Sequence, residues 1–110
     1  MPHVILNRHS LFSEKEKGDL GFRLLFRKGV AETLFFLASK GSAGYSEIKR
    51  QGYMVGDRSL SRILKELQEH DLITRTVFST SPISTEYSLT DKGRAVAILL
   101  NQLKSSLGEG

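Results

Sequence analysis

The sequence contains no cysteine and no long apolar run. The absence of cysteine excludes disulfides, thiolate metal sites and cysteine nucleophiles, and it suits a reducing compartment. The longest apolar stretch, TLFFLA at 33–38, is far shorter than the roughly 20 residues that span a bilayer, and the amino terminus is too weakly apolar for a secretory signal. We therefore expect a cytoplasmic, soluble protein with no membrane partner.

Signatures of catalysis are also missing. The sequence has no phosphate-binding loop, no G-x-S-x-G elbow and no dinucleotide fingerprint. Its three histidines, His3, His9 and His70, form no recognisable set of metal ligands. We therefore expect no metal, no cofactor and no enzymatic activity.

Composition sets the size class and the sign of the charge. The chain has 110 residues, of which 39% are hydrophobic and 25% charged, as is typical of a single globular domain. Lysine and arginine number 16 against 12 acidic residues, which gives a net charge of +4. This excess favours an anionic partner.

Helical spacing and capping residues predict helices in the first half of the chain. Ser13 and Glu16 match a capping box, and apolar spacing predicts a helix over 22–39, interrupted or kinked near Gly29. Ser46 is predicted to cap a short helix, EIKRQ. Asp57 is predicted to cap a longer helix that begins at Arg58.

The second half predicts a hairpin and a final helix. Residues 72–79 and 84–89 are rich in β-forming residues and are separated by turn residues, so they predict a β-hairpin. Asp71 before the hairpin is expected in the left-handed conformation that ends a helix. Thr90 or Asp91 can cap a last helix with an apolar stripe. The predicted fold is mainly α with a small β-hairpin wing (α+β): a winged helix-turn-helix with an additional C-terminal dimerisation helix.

The helix at 58–70 has two different sides. Leu60, Ile63, Leu64 and Leu67 recur at helical spacing, whereas Arg58, Arg62 and Lys65 are spaced by four and three and share the other side. A helix of this size fits the major groove of B-DNA, where arginine can donate two hydrogen bonds to guanine. The simpler interpretation is a solvated face on which Arg62–Glu66 and Lys65–Glu69 form weak surface pairs. We favour DNA contact.

Three segments carry a resemblance to a known family. They are YSEIKR (45–50), RSLSRILKELQEHDLI (58–73) and PISTEYSLTDKGRA (82–95), and the chain resembles the MarR and HxlR type of prokaryotic transcriptional regulators. The resemblance implies a homodimer that binds double-stranded DNA, with helix 58–70 in the major groove and hairpin 72–89 as the wing. The DNA-binding residues it implies are Arg58, Ser59, Ser61, Arg62, Lys65, Ser46, Arg75, Thr80 and Ser81. Lys49 and Arg50 end the short helix and are further candidates for phosphate contact; the alternative is that they only offset the helix dipole.

The apolar stripe of the last helix requires a partner surface, and a second copy of the chain is the economical one. We expect a dimer interface at Val96, Ile98, Leu99, Leu103 and Leu107; the alternative is that this helix folds back on its own domain. The expected division is an N-terminal segment at 1–21 that adds to the dimer interface, a winged helix-turn-helix domain at 22–90 and a dimerisation helix at 91–110.

Two other functions remain open. A winged helix can serve as a protein-protein interaction module of a transcription or replication assembly, which the neutral tip of the hairpin and the nearly balanced charge of 45–94 favour. RNA binding is the third and least favoured alternative, because base stacking requires exposed aromatic rings and we expect these in the core: Phe35, Phe36, Tyr53, Phe78 and Tyr87. No residue identifies a small-molecule effector.

Overall fold

In the computed structural model, the described residues are 13–52, 56–79 and 81–108. They form five helices and one hairpin: α1 Glu14–Leu25, α2 Val30–Lys40, α3 Tyr45–Lys49, α4 Asp57–Glu69, β1 Ile73–Phe78, β2 Ser84–Leu89 and α5 Asp91–Gly108. The predicted fold class, mainly helical with a hairpin and a C-terminal helix, is confirmed. Within these ranges, no helix is long and apolar enough to cross a membrane.

Two helices, rather than one, occupy the region predicted as a helix over 22–39. Helix α1 begins at the predicted capping box, in which the Glu16 N–H donates to Ser13 Oγ and the Ser13 N–H donates to Glu16 Oε1, both at 3.1 Å. The chain then leaves helical geometry at 26–29, where Gly29 has a φ of 85°. The predicted interruption near Gly29 is confirmed, and α1 runs past residue 21, where the sequence placed the end of the N-terminal segment.

The predicted caps of α3 and α4 are wrong. Helix α3 begins two residues earlier than predicted, after Gly44, whose N–H donates to Glu47 Oε1 at 3.0 Å, so Ser46 lies inside the helix. Helix α4 begins after Gly56, and Asp57 is its first residue rather than its cap. A capping side chain must accept from an N–H further along its helix, whereas the Asp57 carboxylate is engaged by groups from α3.

The end of α4 follows the prediction. Helix α4 ends at Glu69, and Asp71 has a φ of 60°, the left-handed geometry expected there. The Leu72 N–H donates to the carbonyl of Leu67 at 2.9 Å, which satisfies a backbone acceptor at the helix end. This turn directs the chain from α4 straight into the hairpin.

The hairpin is antiparallel, with Ile73 paired to Leu89 and Phe78 to Ser84. Ala43, between α2 and α3, adds an isolated bridge to Tyr87. Tyr87 is buried as predicted, and Phe35 and Phe36 are half-buried. The expectation that Phe78 belongs to the core is wrong, because the hairpin extends beyond the helices and leaves this ring exposed. Tyr53 lies outside the described residues.

The core lies where α2 and α4 pack against the base of the hairpin and the start of α5. Its fully buried large side chains come from α2, α3 and α4: Val30, Thr33, Leu34, Leu37, Ile48, Leu60, Leu64 and Leu67. The Thr90 side chain caps α5, since the Gly93 N–H donates to its Oγ1 at 2.9 Å. This core fixes α4 with one side inward and the other in solvent.

Candidate nucleic-acid interface

Helix α4 presents a polar face opposite its buried side. Leu60, Ile63, Leu64 and Leu67 are buried, and the residues at Arg58, Ser61, Arg62 and Lys65 are exposed. These four follow the i, i+3, i+4, i+7 spacing, which places them along one side of a helix. We call Arg58, Ser61, Arg62 and Lys65 the α4 face. It carries three cations and a hydroxyl, all capable of donating hydrogen bonds to bases or phosphates.

Glu66, which lies beside Arg62 of the α4 face, is paired with an arginine from outside the helix. Glu66 Oε1 lies 2.6 Å from Arg27 Nη1 and 3.8 Å from Arg62 Nε. The Arg62–Glu66 surface pair is therefore present, but Arg27 makes the closer contact. Among the described residues, Arg58 and Lys65 have no carboxylate within ion-pair distance. Arg27 thus offsets a negative charge beside the α4 face and leaves that face predominantly basic.

Helix α3 contacts the beginning of α4 through polar side chains. Lys49 Nζ lies 2.6 Å from Asp57 Oδ1, and the Tyr45 hydroxyl oxygen lies 3.0 Å from the same Oδ1 and 3.1 Å from the Asp57 carbonyl oxygen. Lys49 and Tyr45 hold the pKa of Asp57 below its usual range, and Asp57 raises the pKa of Lys49. Both groups are therefore charged at neutral pH.

A second ion pair stabilises the start of α3. Glu47 Oε2 lies 2.8 Å from Lys40 Nζ, and the other carboxylate oxygen accepts from the Gly44 N–H. Hydrogen bonds from Lys40 and then from Gly44 lower the pKa of Glu47. Lys40 belongs to α2, so this pair connects α2 to α3.

The remaining residues predicted to bind DNA occupy different positions. Ser46 is exposed on α3 and Arg50 is exposed directly after it, whereas Ser59 is half-buried beside the α4 face. Arg75 and Ser81 are exposed on the hairpin, and Thr80 lies outside the described residues.

The hairpin tip is apolar and uncharged. Val77, Phe78 and Ile83 are exposed, Ile83 to 73%. No charged residue occurs from 76 to 85. The tip therefore offers contact to apolar or neutral surfaces, and it has no cation that could pair with a phosphate.

Sequence reasoning missed Tyr45 and Arg27. Tyr45 is not among the predicted DNA-binding residues, yet its hydroxyl contacts Asp57 at the start of α4. The role of Arg27 could not be predicted, because its partner Glu66 is 39 residues away in the chain. Among the residues that the structure describes, no group of three histidine, aspartate or glutamate side chains is arranged to hold a metal ion.

Helix α5 presents apolar side chains to solvent. Val96 and Leu100 pack against the core of the same chain. Four others are exposed: Ile98, Leu99, Leu103 and Leu107, the last to 78%. Leu99, Leu103 and Leu107 are four residues apart and form a continuous stripe, which we call the α5 stripe, whereas Ile98 points away from it.

These elements define a class of protein. A short helix, a turn and a polarised helix form a helix-turn-helix, and the hairpin that follows supplies a wing. The model of the HxlR-like helix-turn-helix family matches residues 30–109, more than two thirds of the chain. The chain belongs to this family, and it is a DNA-binding helix-turn-helix transcription regulator of the HxlR/MarR type.

Individual relatives agree with this assignment. The chain is 39% identical over 80 residues to the helix-turn-helix-type transcriptional regulator YvaP of Bacillus subtilis (strain 168), a match that covers 73% of each chain. The reduced form of the transcriptional regulator YodB from B. subtilis has a similar structure, with a TM-score of 0.72 at 24% identity, covering 86% of this chain and 89% of that one. A MarR-family structure from Enterococcus faecalis V583 gives a TM-score of 0.73 at 23% identity, covering 94% and 92%.

Proposed function

We propose that the protein is a sequence-specific regulator that binds double-stranded DNA as a homodimer, with the recognition helix 58–70 in the major groove and the hairpin 72–89 as its wing. The observation that carries the proposal is the α4 face. It sets Arg58, Ser61, Arg62 and Lys65 in solvent, while the opposite side of the helix is anchored in the core. Anchoring on one side and donor groups on the other are what groove recognition requires.

Sequence specificity in this proposal comes from the arginines. Each arginine of the α4 face can donate two hydrogen bonds to the edge of a guanine, and a matched contact of this kind discriminates by about 1–3 kcal/mol. Phosphate contacts, which carry no sequence information, come from Lys65, from Ser46 of α3 and from Arg50 directly after α3, all of them exposed.

The test is the anisotropy of a fluorescent mixed-sequence duplex at low and moderate salt. We expect the wild-type protein to bind and to weaken as salt rises, because phosphate contacts release counterions. The Arg58→Ala/Arg62→Ala variant should lose at least tenfold in affinity. Arg23→Ala/Arg94→Ala is the matched control, since it removes the same charge from exposed positions on α1 and α5. Absence of wild-type binding at low salt, or equal loss in the control, contradicts the proposal.

The dimer is supported by the α5 stripe, which would otherwise expose three leucines to water. We propose that residues 91–110 are the dimerisation helix, joined by the N-terminal segment, and that 22–90 form the DNA-binding unit. Phe22 of α1 and Phe26, which directly follows α1, are also exposed, and their rings pack edge to face with centroids 5.0 Å apart. Two copies paired in this way present two recognition helices about 34 Å apart, which predicts a pseudo-palindromic operator.

Sedimentation equilibrium tests the dimer. The wild-type protein should have twice its 12.3 kDa chain mass, and Leu99→Glu/Leu103→Glu should sediment as a monomer. Ser105→Glu is the control because it adds a charge to α5 away from the stripe. A wild-type protein that sediments only as a monomer at micromolar concentration refutes the proposal.

A second candidate function is a protein-protein interaction module, and the apolar hairpin tip favours it. Val77, Phe78 and Ile83 form an exposed surface with no cation for DNA phosphate. The salt dependence of DNA binding separates the two functions, since a protein contact through the tip requires no DNA affinity at all.

A further inference from the structure

One acidic side chain lies where the proposed DNA-binding surface would approach a phosphate. Asp57 is the first residue of α4, one position before Arg58. Lys49 and Tyr45, four residues apart on α3, both direct their polar atoms to its Oδ1, at 2.6 Å and 3.0 Å. A cation and a hydroxyl are also the groups that proteins use to bind DNA phosphates. In the protein without DNA, the Asp57 carboxylate is bound to both of these groups.

The cluster is accessible and adjoins the α4 face. The Lys49 and Asp57 side chains are 50% and 65% exposed, so neither is sealed in the interior. The Tyr45 hydroxyl lies 3.5 Å from Ser61 Oγ, a member of the α4 face. A phosphate approaching the beginning of α4 would therefore meet Lys49 and Tyr45 beside the base-reading side chains, with the carboxylate of Asp57 already bound to them.

We propose that Asp57 competes with DNA phosphate for Lys49 and Tyr45 and thereby limits the sequence-independent affinity of the protein for DNA. This inference rests on the proposed function of the α4 face. To contact a phosphate, Lys49 must leave Asp57, which brings an uncompensated carboxylate close to a polyanion. This cost is the same for every DNA sequence, because phosphates carry no sequence information. Tight binding then depends more strongly on base contacts by Arg58 and Arg62, so Asp57 acts as a specificity-determining residue.

Asp57→Asn tests the inference because asparagine keeps the size and an acceptor oxygen for Tyr45 while it removes the charge. On a mixed-sequence duplex at low salt, we expect Asp57→Asn to bind about three- to tenfold tighter than the wild type. The slope of log K against log salt should be steeper by about 1, the contribution of one additional phosphate contact. Asp71→Asn is the matched control. It removes the same charge at the far end of α4, at an exposed residue whose left-handed φ suits asparagine.

Lys49→Met shows whether the gain in DNA affinity of Asp57→Asn requires the Lys49 ammonium group. We expect Lys49→Met to change the wild-type affinity less than twofold, but to abolish the gain when combined with Asp57→Asn. A gain that persists in the double variant indicates simple charge repulsion and overturns the inference. An unchanged affinity of Asp57→Asn, or an equal gain in Asp71→Asn, also overturns it.

Circular dichroism checks that each variant is folded, and Asp57→Ser replaces Asp57→Asn if the latter does not fold. Binding of the Arg58→Ala/Arg62→Ala variant to the same duplex distinguishes failure of the inference about Asp57 from failure of the proposed DNA-binding function. If the wild type binds and this variant does not, but Asp57→Asn gains nothing, only the inference fails. If the wild type does not bind the duplex, the proposed function fails and the inference fails with it.

Discussion

Gly93, in the first turn of α5, is pressed against the backbone at the start of the hairpin. A Cβ atom placed on Gly93 would lie 1.9 Å from the Leu72 carbonyl oxygen and 2.9 Å from its carbonyl carbon. An ordinary contact begins near 3.4 Å, so Gly93→Ala requires the two segments to separate by about 1.5 Å. Both clashing atoms belong to the backbone, and no change of side-chain rotamer can relieve the contact.

The expected loss of stability follows from two opposing terms. Overpacking a tight contact costs about 1–3 kcal/mol, and a clash with backbone belongs at the upper end of that range. Alanine in place of glycine in a helix raises the free energy of unfolding by about 1 kcal/mol. The separation would also disturb the Thr90 N–H bond to the Leu72 carbonyl, which measures 3.0 Å. We therefore expect Gly93→Ala to lower the free energy of unfolding by about 2 kcal/mol.

Urea unfolding followed by circular dichroism measures this loss, at one fixed protein concentration because the stability of a dimer depends on concentration. Gly18→Ala is the matched control: it lies within α1, and its added Cβ would meet no atom within 4 Å. We expect this control to gain up to about 1 kcal/mol. If Gly93→Ala is as stable as the wild type, the close packing of α5 on Leu72 is refuted.

Three further perturbations test the local structure. Ser13→Ala should lower the free energy of unfolding by about 1 kcal/mol, since it removes the cap of α1, and an unchanged urea midpoint would contradict this role. Thr33→Val should cost about 1 kcal/mol in the same assay, because the buried hydroxyl donates to the Gly29 carbonyl at 2.7 Å; a loss well above this value would point to repacking instead. Because Lys49 lowers the pKa of Asp57, the ionised carboxylate stabilises the fold above the unfolded pKa, and this stabilisation is lost as pH falls through the folded pKa. The stability difference between the wild type and Asp57→Asn should therefore shrink below about pH 4, and an equal difference at pH 7 and pH 2 would exclude the ion pair as its source.

The sequence by itself predicted the features that depend on near neighbours in the chain. The two sides of the helix at 58–70 follow from apolar spacing, the start of α1 from Ser13 and Glu16, and the turn after α4 from Asp71. The hairpin follows from two β-rich segments separated by turn residues. The helix features are governed by contacts within about four residues or by the conformational preference of one residue, and the hairpin joins two segments that are neighbours in the chain, so the local sequence contains the information.

Only the tertiary structure decided which distant groups meet. Arg27 pairs with Glu66 across 39 positions, and Gly93 packs on Leu72. The Asp57 cap was predicted wrongly for the same reason: the packing of α3 against α4 brings Lys49 close to this carboxylate, which forms an ion pair with it instead of capping the helix. Ionic and hydrogen-bonding side chains take whichever partner the assembled fold places within reach, and no local spacing encodes that choice. The amphipathic helix could therefore be predicted from the sequence, whereas the charges that border its exposed face depend on tertiary contacts, with α3 and with the turn at 26–29.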